Sequence, residues 1–253
     1  MWLALIGALA IGLSLGLLGS GGSILTVPVL VYLLGQPEKV AIAGSLLVVG
    51  TIALAGALQW ALRDEVDGRS VLLFGLPGMA GTVLGASLAT ALSGPLQLTI
   101  FALVMLVAAQ RMLRPAAAIP PAPVRKRRLA AQGFGVGLLT GVVGIGGGFL
   151  ILPALVLLGG LSMHRAIGTS LSIISLNAYS GFARHWLALA ATGVTLDWRV
   201  LGILSAVGCG GSLIGQQVAS RLPQQQLKRA FGVLLVLMAA WILWRSAPSV
   251  FTS

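Results

Sequence analysis

The chain has 253 residues, of which 57% are hydrophobic and only 8% are charged. Soluble domains carry about 25% charged residues, so this composition excludes an ordinary soluble protein and predicts an all-α polytopic protein of the lipid bilayer. Sixteen Lys and Arg against five Asp and Glu give a net charge of +11. This excess is typical of basic cytoplasmic loops beside anionic lipid. Nucleic-acid binding is not expected, because it would need a basic face on a soluble fold.

Five apolar segments follow one another in each half of the chain. They lie at 2–18, 24–35, 40–62, 71–91 and 96–113, then at 130–143, 149–160, 166–190, 198–219 and 227–244. A helix needs about 20 apolar residues to cross a bilayer. The second segment of each half is too short for this. We therefore predict that it is one arm of a helical hairpin that turns at glycines.

The ends of the halves predict the organisation of the chain. The N-terminal run lacks the basic region of a cleaved signal and is expected to remain in the membrane. Between the halves, the basic, Pro-rich stretch from Arg111 to Arg128 is expected to be non-helical and cytoplasmic. The predicted units are a first transmembrane repeat at 1–113, a cytoplasmic linker at 114–129 and a second repeat at 130–253, in the inner (plasma) membrane.

The two halves repeat each other. A shift of 125 positions gives 16 identical residues in 35 aligned pairs over positions 12–46. It aligns Gly12, Gly16, Gly19, Gly21, Gly22 and Pro28 with Gly137, Gly141, Gly144, Gly146, Gly147 and Pro153. After about five extra residues in the second half, Asp67 aligns with Asp197 and Phe101 with Phe231. Such self-similarity indicates an internal duplication.

Charge favours an inverted arrangement of the two repeats. With the linker in the cytoplasm, an inverted second half keeps Arg165, Arg221, Lys228 and Arg229 on the cytoplasmic side, whereas a parallel copy would place them outside. We therefore predict an inverted repeat, in which each half has a glycine-broken hairpin and about three transmembrane helices.

Each half contains a glycine loop between apolar runs. Unwound backbone at membrane depth is tolerated only where it is buried in protein or lines a cavity, and one break per half points to a transport site. The free amides of a half-helix N-terminus bind anions. The predicted binding residues are Gly19, Ser20, Gly21, Gly22 and Ser23, and Gly144, Gly146, Gly147 and Gly148, with Pro28 and Pro153 as structural residues. The alternative is that the glycines only permit close helix crossing.

A second polar cluster follows each loop. Ser45, Thr169, Ser170 and Asn177 are further predicted substrate-binding residues. The alternative for the hydroxyls is a bond to the carbonyl four residues earlier in their own helix. Asn177 is expected to point inward, because a lipid-facing amide would be unsatisfied. His185 is the candidate proton carrier if transport is proton-linked, and otherwise an interfacial histidine.

The acidic residues favour an anionic substrate. Glu38, Asp64, Glu65, Asp67 and Asp197 all lie at loops or segment ends, so a relay of buried carboxylates is not expected. Asp67 and Asp197 open apolar segments, as helix N-caps do. The single cysteine, Cys209, excludes an internal disulfide. No cofactor or metal site is expected.

The alternative to a transporter is an enzyme of the membrane. Ser20 between Gly19 and Gly21, with His185, is superficially similar to an intramembrane serine hydrolase of the rhomboid type. The second copy has Ile145 at the serine position, so the shared feature is glycine and we expect no enzyme. An uncoupled, channel-like anion pathway stays open. So do coupling to a proton or sodium ion and assembly as a homodimer.

With these motifs assembled, the chain resembles the TauE/SafE family of sulfite-exporter-like permeases. The resemblance is carried by GLLGSGGSILTVP, GVVGIGGGFLILP, GTSLSIISLNAYSGFARHW, DWR and RLPQQQLKRAFGVLLVLMAAWIL. It implies an integral membrane transporter for sulfite, a sulfonate or another small organosulfur anion. The motif positions are Gly144, Gly146, Gly147, Gly148, Pro153, Thr169, Ser170, Asn177 and His185. The first half departs from the pattern at Ser23, at Ala43-Gly44-Ser45, and at Trp60 in place of the histidine.

Overall fold

The computed structural model describes residues 2–20, 26, 29–30, 34–89, 94–114, 126–143, 148–191 and 196–250. Within these ranges the chain forms nine helices and no strand. They are α1 (Trp2–Leu18), α2 (Glu38–Ala61), α3, α4 (Gly94–Leu113), α5 (Lys126–Val143), α6 (Gly148–Leu157), α7 (Met163–Ala191), α8 (Trp198–Arg221) and α9 (Gln224–Val250). Helix α3 consists of Gly68–Ser70, a π-helical stretch Val71–Gly75 and Leu76–Ala89. The predicted all-α class is confirmed for this part of the chain.

The apolar segments predict these helices well, with one segment largely outside the description. Of 24–35, only positions 26, 29–30 and 34–35 are described. Its counterpart is α6, whose ten residues extend about 15 Å at 1.5 Å per residue. Helix α6 is thus about half as long as the hydrocarbon core is thick. Pro153 lies inside it.

The linker forms more helix than the sequence predicts. Helix α4 ends at Leu113 and helix α5 begins at Lys126, so the expectation of a non-helical stretch from Arg111 to Arg128 is wrong for positions 111–113 and 126–128. The physical reason is that the last proline of the linker is Pro123, while the Lys, Arg and Leu that follow are good helix formers. Positions 115–125 lie outside the description.

The helices pair in a pattern that is unchanged when the two halves are exchanged. Helix α1 packs on α8, and α5, the counterpart of α1, packs on α3, the counterpart of α8. Helices α2 and α7 are counterparts and pack on each other, as do α4 and α9. The duplication read from the sequence therefore has an equivalent in the helix packing.

Glycines bring the paired backbones together at equivalent places. A Cβ on Gly12 of α1 would overlap the backbone of Gly208 in α8, and a Cβ on Gly137 of α5 would overlap the backbone of Gly78 in α3. Under the repeat alignment these two contacts are the same contact. For these two glycines, close helix crossing is the observed role.

The outer face of the bundle is apolar. Large exposed side chains include Ile6, Leu58, Leu72, Leu84, Val107, Leu187 and Leu237. By length and mean hydropathy, two described stretches, Val40–Ala61 and Trp198–Arg221, are able to cross a bilayer, and Leu5–Leu18 and Ala102–Leu113 are shorter apolar helices. An extended apolar exterior of this kind suits contact with lipid.

Candidate functional site

The end of α1 is fixed by Gly19. Its φ is +68°, a left-handed conformation that glycine adopts without strain. Its N–H donates to the carbonyl oxygen of Leu15 over 2.8 Å, which closes the helix end. There is also no space for a side chain, because a Cβ would lie 2.8 Å from Ser170 Oγ and 3.0 Å from Ile167 Cα. Conformation and packing therefore both require glycine here.

Ser170 holds this turn from the other half of the molecule. It lies on α7 and is fully buried. Its hydroxyl is 2.9 Å from the carbonyl oxygen of Gly19 and 2.9 Å from that of Ile167. The local bond goes to the residue three positions earlier, whereas the sequence predicted four. The second half thus binds the first glycine segment directly through a hydrogen bond.

Ser45, the repeat counterpart of Ser170, has the same local geometry. Its hydroxyl donates to the carbonyl oxygen of Ile42 over 2.7 Å, and Ile42 is the counterpart of Ile167. Ser45 is also buried. The counterpart of Gly19 is Gly144, which lies outside the described residues.

Two buried polar residues beside the first glycine segment were missed in the sequence. Ser212 and Gln216 of α8 have no exposed surface, and the Gln216 Nε2 donates to Ser212 Oγ over 3.1 Å. Ser212 packs against Gly16 of α1, where a Cβ would overlap the serine backbone. The signal available was their spacing of four in an otherwise small and apolar helix, which places both on one face.

Thr169 is fully buried and has a structural partner. Its Oγ1 accepts a hydrogen bond from the backbone N–H of Asp67 over 2.9 Å. This bond ties α7 to the start of α3. Nearby, Arg165 and Glu65 form an ion pair at 4.0 Å.

The predicted N-caps behave differently. Asp197 caps α8, because its Oδ1 accepts from the N–H groups of Arg199 and Val200 at 3.0 and 3.1 Å. Asp67 also occupies the N-cap position of α3, as predicted, but its carboxylate makes no capping bond to the helix backbone. It accepts instead from the Ser70 hydroxyl, since that side chain competes for the same oxygen.

Asn177 points into the protein, as expected. Its Oδ1 is buried and has no hydrogen-bond partner among the described residues. It lines a cavity of about 10 Å³ together with Thr82, Gly78 and Gly137, which gives room for about one water. The counterpart of Asn177 is Ile52, whose side chain fills the space over Gly208. The two halves therefore differ at this position.

Several predicted residues cannot be placed in this site. Gly21, Gly22, Ser23, Pro28, Gly144, Gly146 and Gly147 lie outside the described residues. Gly148 is the first residue of α6. His185 is on α7, but its side chain is not described.

The buried polar side chains of the described part are uncharged. They are Ser20, Thr26, Ser45, Ser70, Thr169, Ser170, Ser175, Ser212 and Gln216. Ser20, Ser170, Ser212 and Gln216 come from chain segments that meet near the end of α1. Hydroxyl and amide groups can donate to an anion without bringing a charge that must be desolvated.

A helical bundle with an apolar exterior, two repeated halves and an uncharged polar interior has the features of a membrane transporter. The family profile described as Sulfite exporter TauE/SafE matches residues 3–242. The chain belongs to this family. The resemblance predicted from the glycine motifs is therefore confirmed.

Relatives that align with nearly the whole chain are named as probable membrane transporter proteins. A probable membrane transporter protein of Xylella fastidiosa strain 9a5c is 34% identical over 252 residues, which covers 95% of this chain and 94% of the relative. The probable membrane transporter protein YunE of Bacillus subtilis is 25% identical, with 90% and 92% covered. A Haemophilus influenzae relative with the same description is 27% identical, with 93% and 94% covered. No solved structure matches the chain.

Proposed function

We propose that this membrane transporter carries sulfite, a sulfonate or a related small organosulfur anion, bound between the two glycine segments. The observation that carries the proposal is the hydrogen bond from Ser170 to the Gly19 carbonyl. This contact joins the second half to the glycine segment of the first, within a cluster of buried hydroxyls. A site shared by both repeats is the arrangement that repeat-based transporters use.

Backbone amides supply the binding groups common to both halves. Helix α6 begins at Gly148, directly after the second glycine run, so its unpaired N–H groups and the positive end of its dipole attract an anion. The repeat extends this role to the segment after Gly22.

The selectivity for an anion follows from the absence of competing carboxylates. All five Asp and Glu are at loops or segment ends. The backbone amides of the two segments are then the donors to sulfur-bound oxygens, and the buried hydroxyls around them add no charge. A cation would find few acceptors and no compensating charge there.

Alternating access is supported by the closed packing of the helices. The cavity at Asn177 is about 10 Å³, which is near the size of one water probe. An anion with three oxygens needs the helices to move apart. The pairs α1–α8 and α3–α5, which cross closely at glycines, are the units proposed to move as rigid bodies. His185 is the proposed proton carrier, and a sodium ion is the alternative coupling ion.

Uptake into proteoliposomes tests the proposal. Purified protein should move labelled sulfite or a labelled sulfonate into liposomes, faster than empty liposomes do. An imposed proton or sodium gradient should change the rate if transport is coupled. Equal rates with and without gradients would favour the uncoupled anion pathway. Absence of binding and flux for both anions would contradict the proposed function.

The glycine segment itself is tested by Gly147→Val. We expect uptake to fall to the level of empty liposomes, because the branched side chain disfavours the unwound backbone that the second glycine run requires. The matched control is Gly135→Val in α5, where a Cβ meets no atom within 4 Å. Membrane insertion is checked by protease protection. Normal sulfite uptake by the correctly inserted Gly147 variant would remove this segment from the site.

A further inference from the structure

Resting on the proposed function, we propose that Gln216 is a substrate-contacting residue that recognises the sulfur-bound oxygens on the side of the first glycine segment, and that Ser212 holds its amide in position. Both side chains are fully buried in α8. The Gln216 Oε1 has no hydrogen-bond partner among the described residues. For the Ser212 hydroxyl hydrogen, the described part of the chain offers no acceptor either. A buried amide with one unpartnered end destabilises the empty protein, and an oxyanion pairs with that end when it carries the NH₂ group rather than the oxygen.

The position of the pair links it to the glycine segment. Gly215, the residue before Gln216, packs against Leu17 and Gly16 of α1, so that a Cβ on Gly215 would lie 2.9 Å from the Leu17 N. Leu17 is two residues before Gly19. The amide of Gln216 is therefore at the level at which α1 ends and the glycine segment begins.

A second neighbour places the pair beside the Ser170 contact. A Cβ on Gly56 of α2 would lie 2.9 Å from Gln216 Nε2, 3.3 Å from Ser212 Oγ and 3.0 Å from Leu171 Cδ1. Leu171 follows Ser170, which binds the Gly19 carbonyl. Four helices thus converge on this point, and Gly56 leaves space for the amide.

The side-chain hydrogen bond of Gln216 does not join two helices. Polar side chains that join membrane helices donate across the helix interface. Gln216 instead donates within its own helix, to Ser212 four residues earlier. A 180° rotation of the amide exchanges its oxygen and its NH₂ group, so that the Ser212 hydroxyl donates to the oxygen. The two N–H donors then occupy the end of the amide that has no partner among the described residues, and an oxyanion accepts them there.

The repeat makes the proposed subsite asymmetric. The counterparts of Ser212 and Gln216 are Thr82 and Ala86, so the second half has a hydroxyl but no amide. The two glycine segments differ in the same way, because the polar Ser20 aligns with the apolar Ile145. The side-chain amides therefore differ between the two sides, because Gln216 lies beside α1 whereas Asn177 lines a cavity with Thr82 and Gly137.

The test is Gln216→Leu, which removes the amide and keeps a similar volume. We expect the KM for labelled sulfite to rise about 10- to 100-fold, because hydrogen bonds to a charged partner are lost. The increase in Tm that sulfite produces in the unmodified protein should also disappear. The matched control is Gln217→Leu, at the exposed neighbouring position, for which both values should stay unchanged.

The outcomes separate this proposal from the proposed function. If the unmodified protein takes up sulfite and Gln216→Leu keeps the same KM and the same sulfite-induced rise in Tm, the role of Gln216 is wrong and the transport function stands. If the unmodified protein neither binds nor moves sulfite or a sulfonate, the proposed function fails first. If Gln216→Leu does not fold, Ser212→Ala is the second variant, because it removes only the hydroxyl that contacts the amide. The KM for sulfite and the sulfite-induced rise in Tm are measured for it in the same way.

Discussion

Gly19 is a residue at which the two halves of the molecule are in direct contact. Its carbonyl accepts from Ser170, and its α-carbon faces the backbone of Ile167. Gly35 and Gly160 also have positive φ, at +63° and +68°, and they are repeat counterparts. At Gly35 a side chain would meet no atom within 4 Å. Gly35 therefore needs glycine for its conformation alone, whereas Gly19 needs it for conformation and packing.

This difference predicts unequal effects of the same substitution. Gly35→Ala should cost about 1 kcal/mol, the strain of a left-handed alanine. Gly19→Ala should cost about 3 kcal/mol, because overpacking against Ser170 is added to that strain. The Tm in detergent and the rate of sulfite uptake measure the two effects. Equal losses of Tm in the two variants would mean that the contact with Ser170 contributes nothing.

At this scale the sequence predicts the residues better than their contacts. The repeat singles out Gly19 and Ser170, but it does not show that they touch, because 151 positions separate them. Ser212 and Gln216 were missed for a related reason. A polar pair on a long apolar helix is informative only when the neighbouring helices are known, and Gly16 and Gly56 lie far away in the chain.

Two equivalent helix crossings organise the elements. Helix α1 crosses α8 at Gly12 and Gly208, and α5 crosses α3 at Gly137 and Gly78. Helix α3 additionally contains a π-helical stretch, Val71–Gly75, that α8 lacks at the aligned positions. Its Phe74 lines the cavity that Asn177 also lines. Such π segments are frequent at functional sites, and this one occurs where the halves differ.

Gly12→Ala and Gly137→Ala test whether the crossings are equivalent. Each should lower stability by about 1–3 kcal/mol through overpacking at the crossing. Gly202→Ala on α8 is the control, because a Cβ there meets no atom within 4 Å and alanine favours helix by up to about 1 kcal/mol. Tm in detergent is the measurement. If the Gly12 and Gly137 variants were as stable as the control, the backbones would not be in close contact.

The positions of the helices could be predicted, because a long apolar run in a membrane has few alternatives to a helix. The first residues of helices and the irregular stretches within them could not be predicted. The start of α5 at Lys126 is not predicted, because basic residues continue on both sides of it and mark no boundary. Only the last proline of the linker, Pro123, lies near that start. No residue pattern in Val71–Gly75 distinguishes the π-helical stretch from the α-helix around it. The tie between Thr169 and Asp67 joins residues 102 positions apart, which local patterns do not reveal.

For the whole molecule, the central claim is that one anion site is shared by two repeats. The exchange of α1–α8 for α5–α3 follows the sequence repeat, and the positions of Lys and Arg in the second half predict an inverted copy. In such an arrangement the site lies where the counterparts meet, and the same contacts can open toward either side of the membrane in turn. We propose that the polar asymmetry at Ser212, Gln216 and Asn177 orients the substrate.

The most direct test of this claim is to locate a bound anion. Selenite has the shape and charge of sulfite and scatters anomalously, so crystals of the protein soaked with selenite reveal its position. We predict one anomalous peak between the segments 19–23 and 144–148, close to Gln216 and Ser170. A peak elsewhere would contradict the account. So would the absence of a peak at a selenite concentration at which the same preparation takes up selenite in liposomes.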